Sequence, residues 1–183
     1  MIEWIIIGIV ALLVLIAIFY YNRFVVLSNR IDNSLSQIDV QLKRRADLIP
    51  NLIETVKGYA KHEKAIMTEV TKARQAMISA KNLAGKVKAN GVLEGALGKL
   101  FAIAENYPDL KANTNFIELQ RELSSTEDRV AYARQNYNDS ILTYNNICQK
   151  FPGALFASMY GRKTKEYIQI APSEKNVPKV SFN

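Results

Sequence analysis

From Trp4 to Tyr21 the chain reads WIIIGIVALLVLIAIFYY, a run of about 18 residues with no charge and almost no polarity. A run of that length can cross the hydrocarbon core of a bilayer, and only as a helix, because lipid offers no partner for peptide N–H and C=O groups. A buried helix of a soluble protein would carry a polar stripe, and this run has none. A cleaved leader would open with basic residues and close on a small-x-small site, whereas Glu3 precedes the run and no such site follows it. The run therefore reads as a retained anchor. Ile5, Leu12, Leu13 and Phe19 meet lipid, and Trp4, Tyr20 and Tyr21 stand at the two ends, where amphipathic rings favour the interface. Arg23 and Arg30 follow the run and only Glu3 precedes it. The positive-inside rule then predicts a single-pass protein of a plasma membrane, N-terminus outside and the bulk of the chain cytoplasmic.

Neither proline nor glycine separates the anchor from Leu27. Apolar residues recur at Leu27, Ile31, Leu35, Ile38 and Leu42, then at Leu52, Val56, Tyr59, Ile66, Val70 and Met77, in the steps of three and four that one buried helix face requires. A helix from Ile5 to Ile49 would set Lys43-Arg44-Arg45 roughly 35 Å beyond the lipid at about 1.5 Å per residue. That is several Debye lengths, so this cluster is expected to serve the bundle or a protein partner. Ile49-Pro50 is expected to end or kink this helix, with Asp47 capping a second one that runs from about Asn51 to Leu83.

Gly85, Gly91, Gly95 and Gly98 lie in the loosest stretch, which reads as a loop from Gly85 to Asn90 and a short helix from Val92 to Glu105. Asn106-Tyr107-Pro108 stops that helix, and Asp109–Asn113 reads as a connecting loop. Asn115 with Glu118 resembles a capping box. After it Phe116, Leu119, Leu123, Thr126, Val130, Ala133, Tyr137, Ile141, Tyr144 and Cys148 recur close to a 3.5-residue period, the seam of a long bundle or coiled coil. Buried Tyr137 and Tyr144 would need hydroxyl partners, with Gln135, Asn136, Asn138, Asn145 and Asn146 nearby. Phe151-Pro152-Gly153 ends this helix, Ala154–Tyr160 reads as a short helix packed back on the bundle, and residues 161–183 read as an extended or disordered tail in which Ile168, Ile170, Val177, Val180 and Phe182 could dock.

The fold class expected is all-α, a transmembrane helix continuing into an antiparallel bundle of three long helices and a shorter one. The domains are an anchor (1–22), a helical bundle (23–160) and the tail. Little chemistry is available to such a chain. Cys148 and His62 are the sole residues of their kinds among 183, which excludes an internal disulfide and the usual Cys/His zinc sites. His62-Glu63 opens like a zinc-protease motif, but Ile66 stands where the second histidine must be. No phosphate-loop spacing occurs among the glycines. The formal net charge of +7 comes from basic residues scattered among acidic ones, without the aromatic interleaving of a nucleic-acid surface. Glu54, Glu63 and Glu69 read as helix-surface charges.

The run RRADLIPNLIETVKGYAKHE (Arg44 to Glu63) resembles the signature of LemA proteins. So do YPDLKAN (Tyr107 to Asn113), Tyr137-Asn138, Tyr144-Asn145, Phe151-Pro152 and VPKVSF (Val177 to Phe182). The Gly-rich middle and residues 161–169 depart from the family pattern. The resemblance implies a bacterial membrane protein with one N-terminal span, an all-helical domain and no assumed catalysis, and its family neighbourhoods suggest a membrane protease as partner. Its motif residues fall on Arg44, Arg45, Asp47, Pro50 and Asn51, which become candidate interaction residues. The expectation is a non-enzymatic scaffold or adaptor that binds no cofactor and no nucleic acid. Its partners would be the bilayer, further copies of itself and other membrane proteins. The alternative is a regulatory factor that remodels the bilayer.

Overall fold

A computed structural model describes residues 1–168. Six helices follow in chain order: α1 (Ile2–Tyr59), α2 (Lys64–Ser79), α3 (Leu83–Ala104), α4 (Pro108–Lys111), α5 (Thr114–Gln149) and α6 (Gly153–Met159). There is no strand among the described residues, and the all-α expectation holds. The residues divide into two compact units. Unit 1 combines Met1–Gln37 with Ala133–Ile168, and unit 2 is built on Ile38–Tyr132. Contacts of the tail at Ile170, Val177, Val180 and Phe182 lie outside the described residues.

α1 changes character along its length. Through Leu15 its large apolar side chains are exposed on all sides, Trp4 at 76% and Leu12 at 57%, while Ile16 and Tyr20 are half-buried. From Phe24 a single buried face begins, carried by Phe24, Leu27 and Ile31 in unit 1 and by Ile38, Leu42, Ile49, Leu52 and Val56 in unit 2. That step from an all-round apolar surface to one apolar stripe is the step from a lipid-compatible helix to a packed one.

Pro50 does not interrupt α1, contrary to the expectation drawn from its missing N–H. The bond it cannot make is the one to the carbonyl of Ala46, four residues back. Arg74 of α2 supplies the substitute, its Nε donating to Ala46 O at 2.7 Å. The chain turns instead at residues 60–63, so the helix expected over 51–83 is divided between the end of α1 and α2. Asp47 is an interior helical residue and caps nothing.

α3 begins at Leu83, not near Val92, because Asn82 caps it: Asn82 Oδ1 accepts the Gly85 N–H at 2.8 Å. A Cβ on Gly85 would stand 3.0 Å from that oxygen, so glycine suits the close cap. Gly58, Gly91, Gly95 and Gly98 have open space where a Cβ would be, so none marks a close helix contact. α5 is capped by Asn113, whose Oδ1 accepts the Phe116 N–H at 3.0 Å, two residues before the expected Asn115. Its buried seam is the one anticipated, with Phe116, Leu123, Thr126, Val130, Ala133, Ile141 and Tyr144 all inside. Thr126 satisfies its hydroxyl on Leu123 O at 2.8 Å.

Within each unit α1 and α5 run antiparallel. In unit 1 Phe24 meets Tyr144 and Ser34 meets Ser140. In unit 2 α2 and α3 complete the bundle, with Val70, Met77, Leu93, Leu97 and Leu100 in its core.

Candidate functional site

The five residues that the sequence nominates, Arg44 to Asn51, are all in unit 2, but they do not form one patch. Arg45 is 3% exposed and forms an ion pair with Glu127 of α5. Burial pulls its guanidinium below the usual range, and the Glu94 carboxylate pushes it back up. Arg45 Nε, Gln41 Oε1 and Asn90 Oδ1 are buried and have no hydrogen-bond partner among the described residues. Arg45 is therefore an interior ion. Arg44 faces outward on another side and pairs with Glu122 at 3.0 Å. Asn51 and Glu122 share a polar cleft of about 630 Å³ with Asn115, Glu118 and Arg121. Asp47 pairs with Lys43 at 3.2 Å and lines a different cleft, of about 350 Å³, with Arg74 and Lys86. Pro50 is exposed.

The stretch Tyr107–Asn113 ties the turns of unit 2 together. Tyr107 Oη donates to Glu63 Oε1 at 2.9 Å, fastening the α3–α4 connection to the α1–α2 turn. That bond holds the Tyr107 phenol above its ordinary pKa. Pro108 opens α4, where its missing N–H costs little, and Leu110 is wholly buried. Asn113 caps α5 through its oxygen while its Nδ2 donates to Tyr59 Oη at 2.9 Å. Beside this corner lies a larger cleft, of about 740 Å³. Ile53 and Met67 form its floor, and Lys57, Lys61, His62, Lys64 and Lys72 its rim. Among the described residues that line it, none is acidic.

Unit 1 contains a device that the sequence reading met only as an extended or disordered tail in which Ile168 could dock. After α6 the chain reverses at Gly161, which has φ +65°. Arg162 N donates to Ala157 O at 2.8 Å and Gly161 N to Ser158 O at 3.2 Å, the bonds of a Schellman cap, which wants a glycine at this position. The chain then runs back along α5 as an extended strap. Asn145 grips Lys165 through both backbone groups, accepting from its N–H at 2.8 Å and donating to its C=O at 2.9 Å. Asn138, two turns away, grips Ile168 in the same way at 2.9 and 3.1 Å. These side chains are not the tyrosine partners proposed from sequence. Their spacing of seven matched the apolar seam, and nothing local distinguished a strap from a solvated face. Lys165 Nζ also lies 5.5 Å from the Tyr144 ring centre. Burial raises the Tyr137, Tyr144 and Cys148 pKa values.

Among the described residues, no three His, Cys, Asp or Glu side chains gather to hold a metal ion. What the fold defines is an all-α protein with one N-terminal helix long and apolar enough to cross a membrane, feeding a helical bundle.

The chain belongs to the LemA family, whose model matches residues 34–182. It is 27% identical over 179 aligned residues to magnetosome protein MamQ 2 of Paramagnetospirillum magneticum, covering 84% of this chain and 66% of that protein. It is 28% identical, with the same coverage, to magnetosome protein MamQ of Magnetospirillum gryphiswaldense. Protein LemA of Metamycoplasma hominis is 26% identical over 143 residues, covering 74% of this chain and 65% of that one. The chain thus spans just under two thirds of the length of these relatives.

Proposed function

We propose that this protein is a non-enzymatic, membrane-anchored helical scaffold that associates with copies of itself or recruits other membrane proteins. The observation that carries the reading is the continuity of α1, one helix that begins as an apolar span and goes on, through Pro50, to supply the buried face of both units. A helix built that way ties the apolar span and folded surfaces into one chain segment. The clefts of unit 2 offer such surfaces, and the lysine-rimmed one favours an acidic partner. The names of the relatives denote a structure, not a reaction, which agrees with a role in organisation. Arg23 and Arg30 after the span support the orientation with the bundle in the bacterial cytoplasm. Anchoring in one membrane raises the local concentration of copies, so weak lateral contacts count.

The test is sizing and crosslinking of the full-length protein in detergent. Oligomers or a co-purifying membrane protein, a protease among the candidates, are expected. A strict monomer at every concentration with no co-purifying protein would overturn the proposal. A second reading, direct action on the bilayer, is favoured by one feature of unit 1, the surface of α6.

A further inference from the structure

α6 is packed against the end of the apolar run. Tyr20 stacks on Phe156 with ring centres 4.8 Å apart and planes 9° from parallel. Tyr21 meets Tyr160 edge to face at 5.6 Å. The Tyr160 hydroxyl donates to the carbonyl of Ala17 at 2.8 Å. Ala17 lies inside the uncharged run, one turn before its end, so α6 stands at the level where the span leaves the hydrocarbon. Phe156 and Tyr160, with Ala157, face inward on the cluster of Phe24, Leu27, Ile31, Ile141 and Tyr144.

The opposite face of this short segment is apolar too. Phe151, Leu155 and Met159 are 83%, 62% and 62% exposed. Leu155 and Met159, four residues apart, share one side of α6, and Phe151 is exposed in the turn just before it. Lys150 precedes this stripe and Arg162, Lys163 and Lys165 follow it, with no acidic residue from Lys150 to Lys165. An apolar stripe flanked by basic residues is the composition of a helix that lies in the boundary between headgroups and acyl chains.

We propose that α6 is a second membrane contact, an interfacial element that sinks Phe151, Leu155 and Met159 into the leaflet around the C-terminal end of the span. This inference rests on the reading of α1 as a membrane span. The occupant of the stripe is lipid and not a protein, because α6 packs against the end of the apolar run and the basic residues that flank the stripe complement anionic headgroups. The Schellman cap and the Asn145 and Asn138 grips fix the chain after α6 onto α5, which holds the element in place relative to the rest of unit 1.

The test uses full-length protein with Trp4→Phe, which removes the sole native tryptophan, reconstituted in phosphatidylcholine–phosphatidylglycerol vesicles. Single tryptophans are introduced as Leu155→Trp, Met159→Trp, Leu12→Trp (mid-span) and Tyr132→Trp (exposed in unit 2, 71%). The vesicles carry bromine near the headgroup end of the acyl chains or near the bilayer centre. Leu155→Trp and Met159→Trp are expected to emit to the blue and to lose roughly half their intensity to shallow bromines, less to deep ones, as suits a depth of about 5–10 Å. Leu12→Trp should show the reverse preference, and Tyr132→Trp no quenching. Two reporters guard against one variant failing to fold. Red, unquenched emission from both α6 positions with Leu12→Trp quenched overturns the inference and leaves the span intact. Blue but unquenched emission also overturns it, in favour of a protein covering the stripe. An unquenched Leu12→Trp overturns the span itself.

Discussion

Pro50 sits inside a helix because Arg74 replaces the hydrogen bond that proline cannot make, and that claim can be measured. Ala46 is 1% exposed, so its carbonyl has no ready access to water once Arg74 is removed. A hydrogen bond from a charged donor contributes about 1.5–3 kcal/mol net, and an orphaned buried acceptor costs a similar amount. Arg74→Leu should therefore destabilise the protein by about 2 kcal/mol, a loss of roughly 4–8 °C in Tm for a chain of this size. Pro50→Ala restores an N–H directed at the same carbonyl and relieves part of the roughly 3 kcal/mol that interior proline costs a helix. In that background Arg74→Leu should cost only a few tenths of a kcal/mol, giving a coupling of about 1–2 kcal/mol between the two sites. The assay is far-UV circular dichroism on full-length protein in detergent for the four members of the cycle, with hydrogen exchange across residues 46–54 as the local readout. If Arg74→Leu costs the same in the Pro50→Ala background as in the parent protein, the two sites are not coupled and the compensation argument is wrong.

Asn138→Ala and Asn145→Ala each delete two bonds to the strap, about 2 kcal/mol apiece, and the double variant should be cut by trypsin at Arg162, Lys163 or Lys165 much faster than the parent protein. Glu127→Leu leaves the Arg45 charge in the interior and should cost about 2–3 kcal/mol, less than a fully buried pair because Glu127 is 29% exposed. Adding Arg45→Met should recover most of that loss in the same unfolding assay. Cys148, with its thiol pushed up by burial, should react with iodoacetamide more slowly than a free thiol at neutral pH, the gap closing as pH rises and vanishing on unfolding.

Much of this fold is written in local pattern. The uncharged run, the stripe from Leu27 through Leu42 and the seam from Phe116 to Tyr144 each follow from hydrophobic period alone, since a helix must bury what it repeats every three to four residues. The stops at Asn106-Pro108 and Phe151-Gly153 are equally local, being proline and glycine chemistry. The family signature adds identity without roles: Tyr107, Leu110 and Asn113 prove to be the fasteners of unit 2, and Arg45 an interior ion.

Contacts distant in sequence decided the rest. Pro50 reads as a break because its defect is local, while its remedy comes from Arg74, on the next helix. Asn82 and Asn113 outrank the glycines and the Asn115–Glu118 pair because a cap depends on where the chain turns. Asn138 and Asn145 look like surface amides until residues 165 and 168 are laid against them. A period along the chain reports which face is buried, but only the packed structure reports what lies opposite it.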